Sequence, residues 1–481
     1  MSPSAGGGGP RQGARVLVTG ATGYIGSRLV SELLARGHRV RCLARDPRKL
    51  LTRGWDGVEV AAGDVLRAET LPPALAGIDV AYYLVHSMQG DPKNFAGKDR
   101  EAARAFTAAA AACGVKRIVY LGGLGSGEGL SEHLRSRQET GDVLREGTTP
   151  VTELRAAIIV GSGSASFEII RDLARKLPVM ICPRWVNSRC EPIAVRDVLG
   201  YLSGVLDEPR TAGRTFDIGG GEVYTYADLM RICGEETGRR IRILTVPFLT
   251  PRLSAYWLNL VTAVPMSIAF PLVEGLRSDV VCRETSVRDL LPRDLLPFRE
   301  AVRLALRQEK KADVASRWTG ASSAAAAEPW ADGSPLLADR REVATSLPPG
   351  AVFERVRRVG GENGWYYADT LWALRGALDR LVGGVGMRRG RRDPVELRVG
   401  DAVDFWRVER FEEGRLLGLR AEMKLPGQAR LTFEVEPREG GSLLRQTAEF
   451  HPDGPAGRAY WYALLPVHRL IFRRMAERIA A

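Results

Sequence analysis

The sequence predicts an α/β fold, a doubly wound parallel sheet, followed by a second domain of α+β type. Three observations carry this. A short apolar run, Arg15–Thr19, breaks into Gly20, Gly23 and Gly26 and feeds a helical pattern with Leu29, Val30, Leu33 and Leu34 on one face and Gly37 as its stop. Strand-like runs then alternate with helical stretches as far as Ile218. After an Ala/Ser/Gly/Pro-rich stretch the pattern changes to short alternating strands and one long final helix.

The first element has a chemistry of its own. A strand that turns through glycines into a helix start presents unpaired amides and the positive end of the helix dipole, which is a site for a pyrophosphate. Gly20 permits the tight turn, Gly23 lets phosphates approach the main chain, and Gly26 lets helix and strand pack closely.

The second strand, Arg39–Ala44, ends in Arg45-Asp46-Pro47. A dinucleotide fold selects its cofactor there: an acid holds a ribose 2′-hydroxyl, an arginine a 2′-phosphate. Asp46 before Pro47 suits a helix N-cap, so Arg45 is the candidate cofactor contact and NADP is expected over NAD. The third strand, Val58–Ala62, runs into Gly63-Asp64-Val65, where Asp64 either meets the adenine or caps the following turn. The fourth, Val80–Val85, leads into His86-Ser87-Met88 near the expected nicotinamide ribose. A helix over Arg100–Ala112 and a fifth strand, Arg117–Leu121, continue the alternation.

TGATGYIG, the GDV turn and this order of elements resemble the short-chain dehydrogenase/reductase superfamily, and most its atypical, NmrA-like branch, over residues 14–310. The resemblance implies a Rossmann-type NAD(P)(H) site at Gly20, Thr22, Gly23, Tyr24, Ile25 and Gly26, with Arg45, Asp64, Val65 and Val85 beyond. It also exposes a gap. Catalytic members carry Tyr and Lys four residues apart on the helix after the fifth strand, and Ser at that strand's end. Here the strand runs into Gly122-Gly123-Leu124-Gly125-Ser126, and the helix SEHLRSRQETGDVLRE has neither Tyr nor Lys. At that spacing stand His133 and Arg137, one turn apart. Arg137 can hold ribose and phosphate as a fixed cation, and His133 can act as acid or base; alternatively His133 is a solvent-facing residue on a polar helix start.

The sixth strand, Val151–Val160, opens into Gly161-Ser162-Gly163-Ser164-Ala165-Ser166-Phe167-Glu168, a second possible anion or substrate cradle in which the serines can equally cap. Phe167, Glu168 and Trp185 are the candidate substrate contacts. Six cysteines fall in no metal-binding or disulfide pattern, so no metal is expected and a reducing cytoplasm suits them. The net charge of +12 is spread along the chain with one dense run, Arg388-Arg389-Gly390-Arg391-Arg392; no nucleic-acid partner is expected from it. Residues 1–13 read as a flexible tail rather than a signal peptide. Leu253–Val273 is uncharged and long enough to cross a bilayer but holds Pro265 and Pro271, so a buried or surface-docking helical pair is expected and peripheral membrane contact stays open.

Residues 311–337 read as a linker and residues 338–481 as a second domain. Its expected elements are a strand from Arg341, a helix in PPGAVFERVRRV, a strand at Trp365–Thr370, a helix in LWALRGALDRLVG, four antiparallel strands and a last helix. A curved sheet gripping one long C-terminal helix resembles the START-like, polyketide cyclase-like superfamily, and the segments quoted resemble an uncharacterised domain fused to NmrA-like reductases. The resemblance implies a pocket for a small hydrophobic ligand; Trp365, Trp372, Trp406, Phe433 and Trp461 line it or simply form the core. Two functions follow: an NADP(H)-dependent oxidoreductase acting on a hydrophobic carbonyl or quinone-like compound, or a binding protein that holds NADP(H) as a sensing or structural ligand, like NmrA-like regulators and the nucleotide-binding accessory subunit of respiratory complex I.

Overall fold

A computed structural model describes residues 13–51, 53–86, 95–125, 130–246, 262, 264, 266–310 and 337–481. The N-terminal tail up to residue 12, Ser87, Met88, Ser126, the span 253–261 of the uncharged segment and the linker 311–336 lie outside the described residues. The chain forms two compact units, one of residues 1–160, 187–226 and 275–301, the other of residues 161–186, 227–274 and 302–481.

The first unit is built on β1 (Arg15–Thr19), β2 (Arg39–Ala44), β3 (Glu59–Ala62), β4 (Val80–Tyr83), β5 (Arg117–Gly123), β6 (Val151–Ala156) and β7 (Thr215–Ile218). They form one seven-stranded sheet in the order β3-β2-β1-β4-β5-β6-β7, every neighbouring pair parallel. The order reverses between β1 and β4, and in such sheets ligands bind beyond the carboxyl ends of the strands at that point.

Helices α1 (Tyr24–Ala35), α2 (Arg48–Leu51), α3 (Leu71–Leu75), α4 (Phe95–Ala112), α5 (Glu132–Arg145), α6 (Ala165–Lys176) and α7 (Val195–Gly204) follow in order, with α6 belonging to the second unit. Strand side chains alternate faces, so β1 feeds two cores. Val16 and Val18 pack with Leu29, Val30 and Leu33 of α1 and Tyr201 and Leu202 of α7. Leu17 packs with Leu75 of α3, Phe106 of α4 and Leu144 of α5.

In the second unit β8 (Leu337–Thr345), β9 (Ala402–Val403), β10 (Trp406–Glu412), β11 (Leu416–Ala421), β12 (Gly427–Arg438) and β13 (Gly441–Pro452) make a six-stranded antiparallel sheet, order β8-β13-β12-β11-β10-β9. Helices α8 (Pro349–Arg357), α9 (Asp369–Leu381) and α10 (Gly454–Ala480) complete the region; Val352 and Phe353 of α8, Trp372 of α9, and Phe472, Met475 and Ile479 of α10 share a core with the sheet. The strand expected at Trp365–Thr370 is absent. Tyr366 and Ala368 take φ of 62° and 58°, left-handed values that cannot continue a strand, and Asp369 opens α9 while its carboxylate accepts the Trp365 N–H at 2.7 Å. Trp365, Trp372, Trp406 and Phe433 are core, and Trp461 is buried against Phe450. A parallel pair that the sequence did not signal, Val179–Pro183 with Arg242–Val246, also lies in this unit. Among the described residues no helix is long and apolar enough to cross a membrane.

Candidate functional site

The glycine turn is built as the sequence reading requires. Gly20 has φ +68° and lies so close to the end of β4 that a Cβ there would sit 2.7 Å from the Leu84 carbonyl oxygen. Gly23 is the N-cap of α1; its N–H donates to the Gly20 oxygen at 2.9 Å, and Ser27 Oγ donates back to the Gly23 oxygen at 2.8 Å. A Cβ at Gly26 would lie 2.2 Å from the Gly20 oxygen. No side chain caps the α1 N-terminus and no acid stands in its first turn. The first-turn N–H groups have no partner within the helix, and no carboxylate of the first turn answers the dipole. Thr22, Tyr24 and Ile25 belong to this turn, and Arg53 Nη2 donates to the Thr22 oxygen at 3.3 Å, bracing it from the segment after β2.

The other cofactor candidates follow from topology, because parallel strands put their C-terminal ends on one edge. Arg45 stands exposed just past β2. Asp46 is taken: its carboxylate accepts from Arg48 N at 3.2 Å and from Arg48 Nε and Nη2 at 2.9 and 3.0 Å. Burial works to raise the Asp46 carboxyl, but the hydrogen bonds from Arg48 outweigh it and hold it below its ordinary value. Asp64, past β3, accepts the Leu66 N–H at 3.1 Å, so its carboxylate caps the turn. Val65 is buried, with its side chain in the core, and Val85 packs against the same core from the end of β4.

Beyond β4 the ionisable groups converge. Thr19 Oγ1 donates to the Tyr82 oxygen and accepts from the Leu84 N–H, both at 3.0 Å, which fixes the end of β4 to β1. His86 follows directly. Its Nε2 lies 3.1 Å from Nδ1 of His133 on α5, and its Nδ1 lies 3.0 Å from Oδ2 of Asp99 on α4. The His86 imidazole is held below its usual range by burial, against the opposing pull of Asp99. His133 is pushed well below it, by burial first and then by His86 and Arg137. His133 is therefore half-buried and held in a hydrogen-bonded chain, which corrects the solvent-facing alternative.

Arg137 lies one turn further along α5. It donates through Nη2 to the Leu121 carbonyl of β5 and stacks over Tyr120, whose hydroxyl donates to the Arg137 oxygen at 2.8 Å. Its Nε is buried without a hydrogen-bond partner among the described residues, beside Gly123 at the end of β5. A buried cationic donor left unsatisfied is costly, and a ligand acceptor at this edge would relieve it. The open α1 N-terminus, the close-packed glycines and this orphaned donor together fit a nicotinamide dinucleotide.

The three substrate candidates belong to the other unit. Phe167 and Glu168, in the first turn of α6, are only 1% and 4% exposed, so their side chains pack inside rather than line an open surface. Ser164 is the α6 N-cap but makes no capping bond through its side chain. Glu168 already answers that helix dipole, which removes the case for an anion there. Trp185 is half-buried, with its Nε1 buried and unpartnered among the described residues. No group of three or more His, Cys, Asp or Glu able to hold a metal occurs among the described residues. Sequence reasoning did not find Asp99, although it stands in register with buried Ala102, Ala103, Phe106 and Ala110 on α4. A charge in an apolar stripe was the available signal.

Two stretches of the chain match known families. Residues 20–159 match the family described as NAD(P)H-binding, and residues 330–475 the family described as a protein of unknown function, DUF2867. The chain is similar to photosystem II assembly factor Ycf39 of Trieres chinensis, 26% identical over 50% of this chain and 74% of that protein. It is similar also to ceramide reductase of Caulobacter vibrioides, 27% identical over 48% and 73% respectively. Among solved structures, triphenylmethane reductase of Citrobacter sp. superposes with a TM-score of 0.51 at 21% identity, over 61% of this chain and 99% of that one, a likeness of fold alone. The N-terminal part of the chain thus carries a Rossmann-like NAD(P)-binding fold, and the stretch similar to DUF2867 is an antiparallel sheet with helices.

Proposed function

We propose that the chain is an NADP(H)-dependent oxidoreductase of the atypical short-chain dehydrogenase/reductase type, acting on a hydrophobic carbonyl or quinone-like compound. The observation that carries this is His133. It occupies the helix position of the missing proton donor, one turn from Arg137, and contacts His86 at the end of the strand beside the reversal point. A bound reduced nicotinamide supplies the hydride. The protein's part is to hold the phosphates at the α1 N-terminus, to offer Arg137 to the ribose, and to move one proton at His133 Nε2. The C-terminal region, read as a START-like fold, presents the hydrophobic substrate, and peripheral contact with a membrane surface would give access to one.

NADPH oxidation followed against a panel of carbonyl and quinone acceptors tests this. Turnover with at least one acceptor is expected, and tight cofactor binding with no turnover across the panel would sink it. That outcome would favour the second reading, a binding or assembly protein. The likeness to an assembly factor and the missing Tyr, Lys and Ser support that alternative.

NADP is favoured over NAD because Asp46 is engaged by Arg48 while Arg45 stands exposed. Arg45→Glu is expected to weaken NADPH binding by about 10- to 100-fold, the equivalent of one charge-assisted contact, and to change NADH binding by less than about threefold. Calorimetric titration of both coenzymes checks this; an equal loss for both would remove Arg45 from 2′-phosphate recognition.

A further inference from the structure

Three titratable side chains from three separate elements meet just past the end of β4: Asp99 of α4, His86 after β4, and His133 of α5. We propose that Asp99 and His86 are positioning residues that fix the tautomer and ring orientation of His133, so that its exchangeable site is Nε2. This deepens the oxidoreductase reading above and rests on it for its catalytic meaning, but the tautomer itself is independent of any substrate.

Hydrogen-bond parity sets the tautomers along the chain. An ionised Asp99 can only accept, so His86 must carry its proton on Nδ1. Neutral His86 then presents a lone pair at Nε2, and His133 must donate from Nδ1 across the 3.1 Å contact. That leaves the His133 lone pair at Nε2, where no hydrogen bond is made among the described residues. The carboxylate–imidazole–imidazole chain extends by one ring the arrangement in which a buried acid orients a general base.

Each link is held from behind. Asp99 is buried in the apolar stripe of α4, and Ser136 Oγ of α5 donates to its Oδ2 at 3.4 Å. His86 is tied down through the pinned end of β4. The charged and titratable groups around the pair are few among the described residues. Arg137 on α5 disfavours charge on both rings, and Asp99 favours it on His86. Tyr83 of β4 and Tyr120 of β5, which also feel Asp99, are kept protonated by burial.

In the reducing direction His133 imidazolium gives its Nε2 proton to the substrate oxygen while the carbonyl carbon takes up a hydride. The carbonyl becomes an alcohol, the donor is oxidised by two electrons, and His133 ends neutral, to be reprotonated from water.

The test needs no substrate. The chain has five histidines, so nitrogen-15 NMR of the full-length protein can follow each ring. Wild type should show His133 as the Nδ1–H tautomer, titrating well below a free imidazole. Asp99→Asn, which removes the carboxylate that fixes the His86 proton, should admit the other His133 tautomer and lower its titration further. His86→Asn, whose amide can offer His133 either its oxygen or its NH2 group, should give a mixture of His133 tautomers, and it serves if Asp99→Asn does not fold. Unchanged circular dichroism and thermal melting verify folding of either variant. A His133 tautomer and titration indifferent to both substitutions would overturn the relay even in an active enzyme. Wild type that turns over no acceptor would instead sink the oxidoreductase reading while leaving the tautomer result standing. Where turnover exists, the pH at which the reductive kcat falls off as pH rises should move with the NMR titration, a change that a merely structural contact would not produce.

Discussion

Replacing Gly26 with alanine is expected to lower affinity for NADPH by about 100-fold or more and to cost about 1–3 kcal/mol of stability, as over-packing does. The added Cβ would lie 2.2 Å from the Gly20 oxygen and 2.8 Å from the Gly20 carbon, both main-chain atoms, so no side chain can swing aside. Relief requires α1 to draw back from the turn, which moves the open helix N-terminus away from the phosphates. Gly20→Ala should be comparably severe, since it combines a φ of +68° with a contact of 2.7 Å to the Leu84 oxygen. Gly37→Ala is the control. Its φ is +80°, but nothing stands within 4 Å, so it should cost about 1 kcal/mol of backbone strain and leave cofactor binding unchanged. Calorimetric titration with thermal melts of all three variants separates the effects; Gly26→Ala binding NADPH like wild type would remove the glycine turn from the cofactor site.

The legible part of this protein was its nucleotide half. Strand, glycine triplet and helix occupy adjacent residues, and the central strands β1, β4 and β5 are near-continuous buried apolar runs, so local pattern and fold agree there. The same locality gave the roles of Asp46 and, as one of two alternatives, Asp64, whose capped N–H groups lie two residues onward. What was not legible is long-range. His86 and His133 stand 47 residues apart, and nothing in either neighbourhood names the other. Arg137 was legible as a cation, but its bond to Leu121 depends on how α5 returns over β5. In the C-terminal region, WYYADT has the composition of a strand. The left-handed Tyr366 and Ala368 reverse the chain so that Trp365 can reach inward and donate its Nε1–H to Asp404 at 2.8 Å. Tertiary packing overrode local β-propensity there. The missed strand Arg242–Val246 is short and half exposed, and only its partner Val179–Pro183 defines it.

His133→Ala is the second substitution with a large expected effect, a loss of about 10²–10⁴-fold in kcat for acceptor reduction, the usual yield of general acid–base catalysis. NADPH affinity should change by less than about threefold, because the imidazole carries the proton and the glycine turn carries the phosphates. The pH dependence follows from the direction of the shift. Burial, His86 and Arg137 all disfavour the imidazolium, so the folded-state value lies well below that of a free imidazole. Reduction needs the protonated ring, and its rate should climb as pH falls toward that lowered value, with little activity above neutrality. The reverse oxidation needs the neutral ring, and its rate should be flat from neutrality upward and fall only in acid. Removing the nearby positive charge with Arg137→Gln should raise the His133 value and carry the fall-off of reduction with rising pH toward neutrality, while weakening cofactor binding through the lost ribose contact. A reductive profile that is flat across this range in wild type, or that His133→Ala leaves in place, would mean that the transferred proton comes from elsewhere.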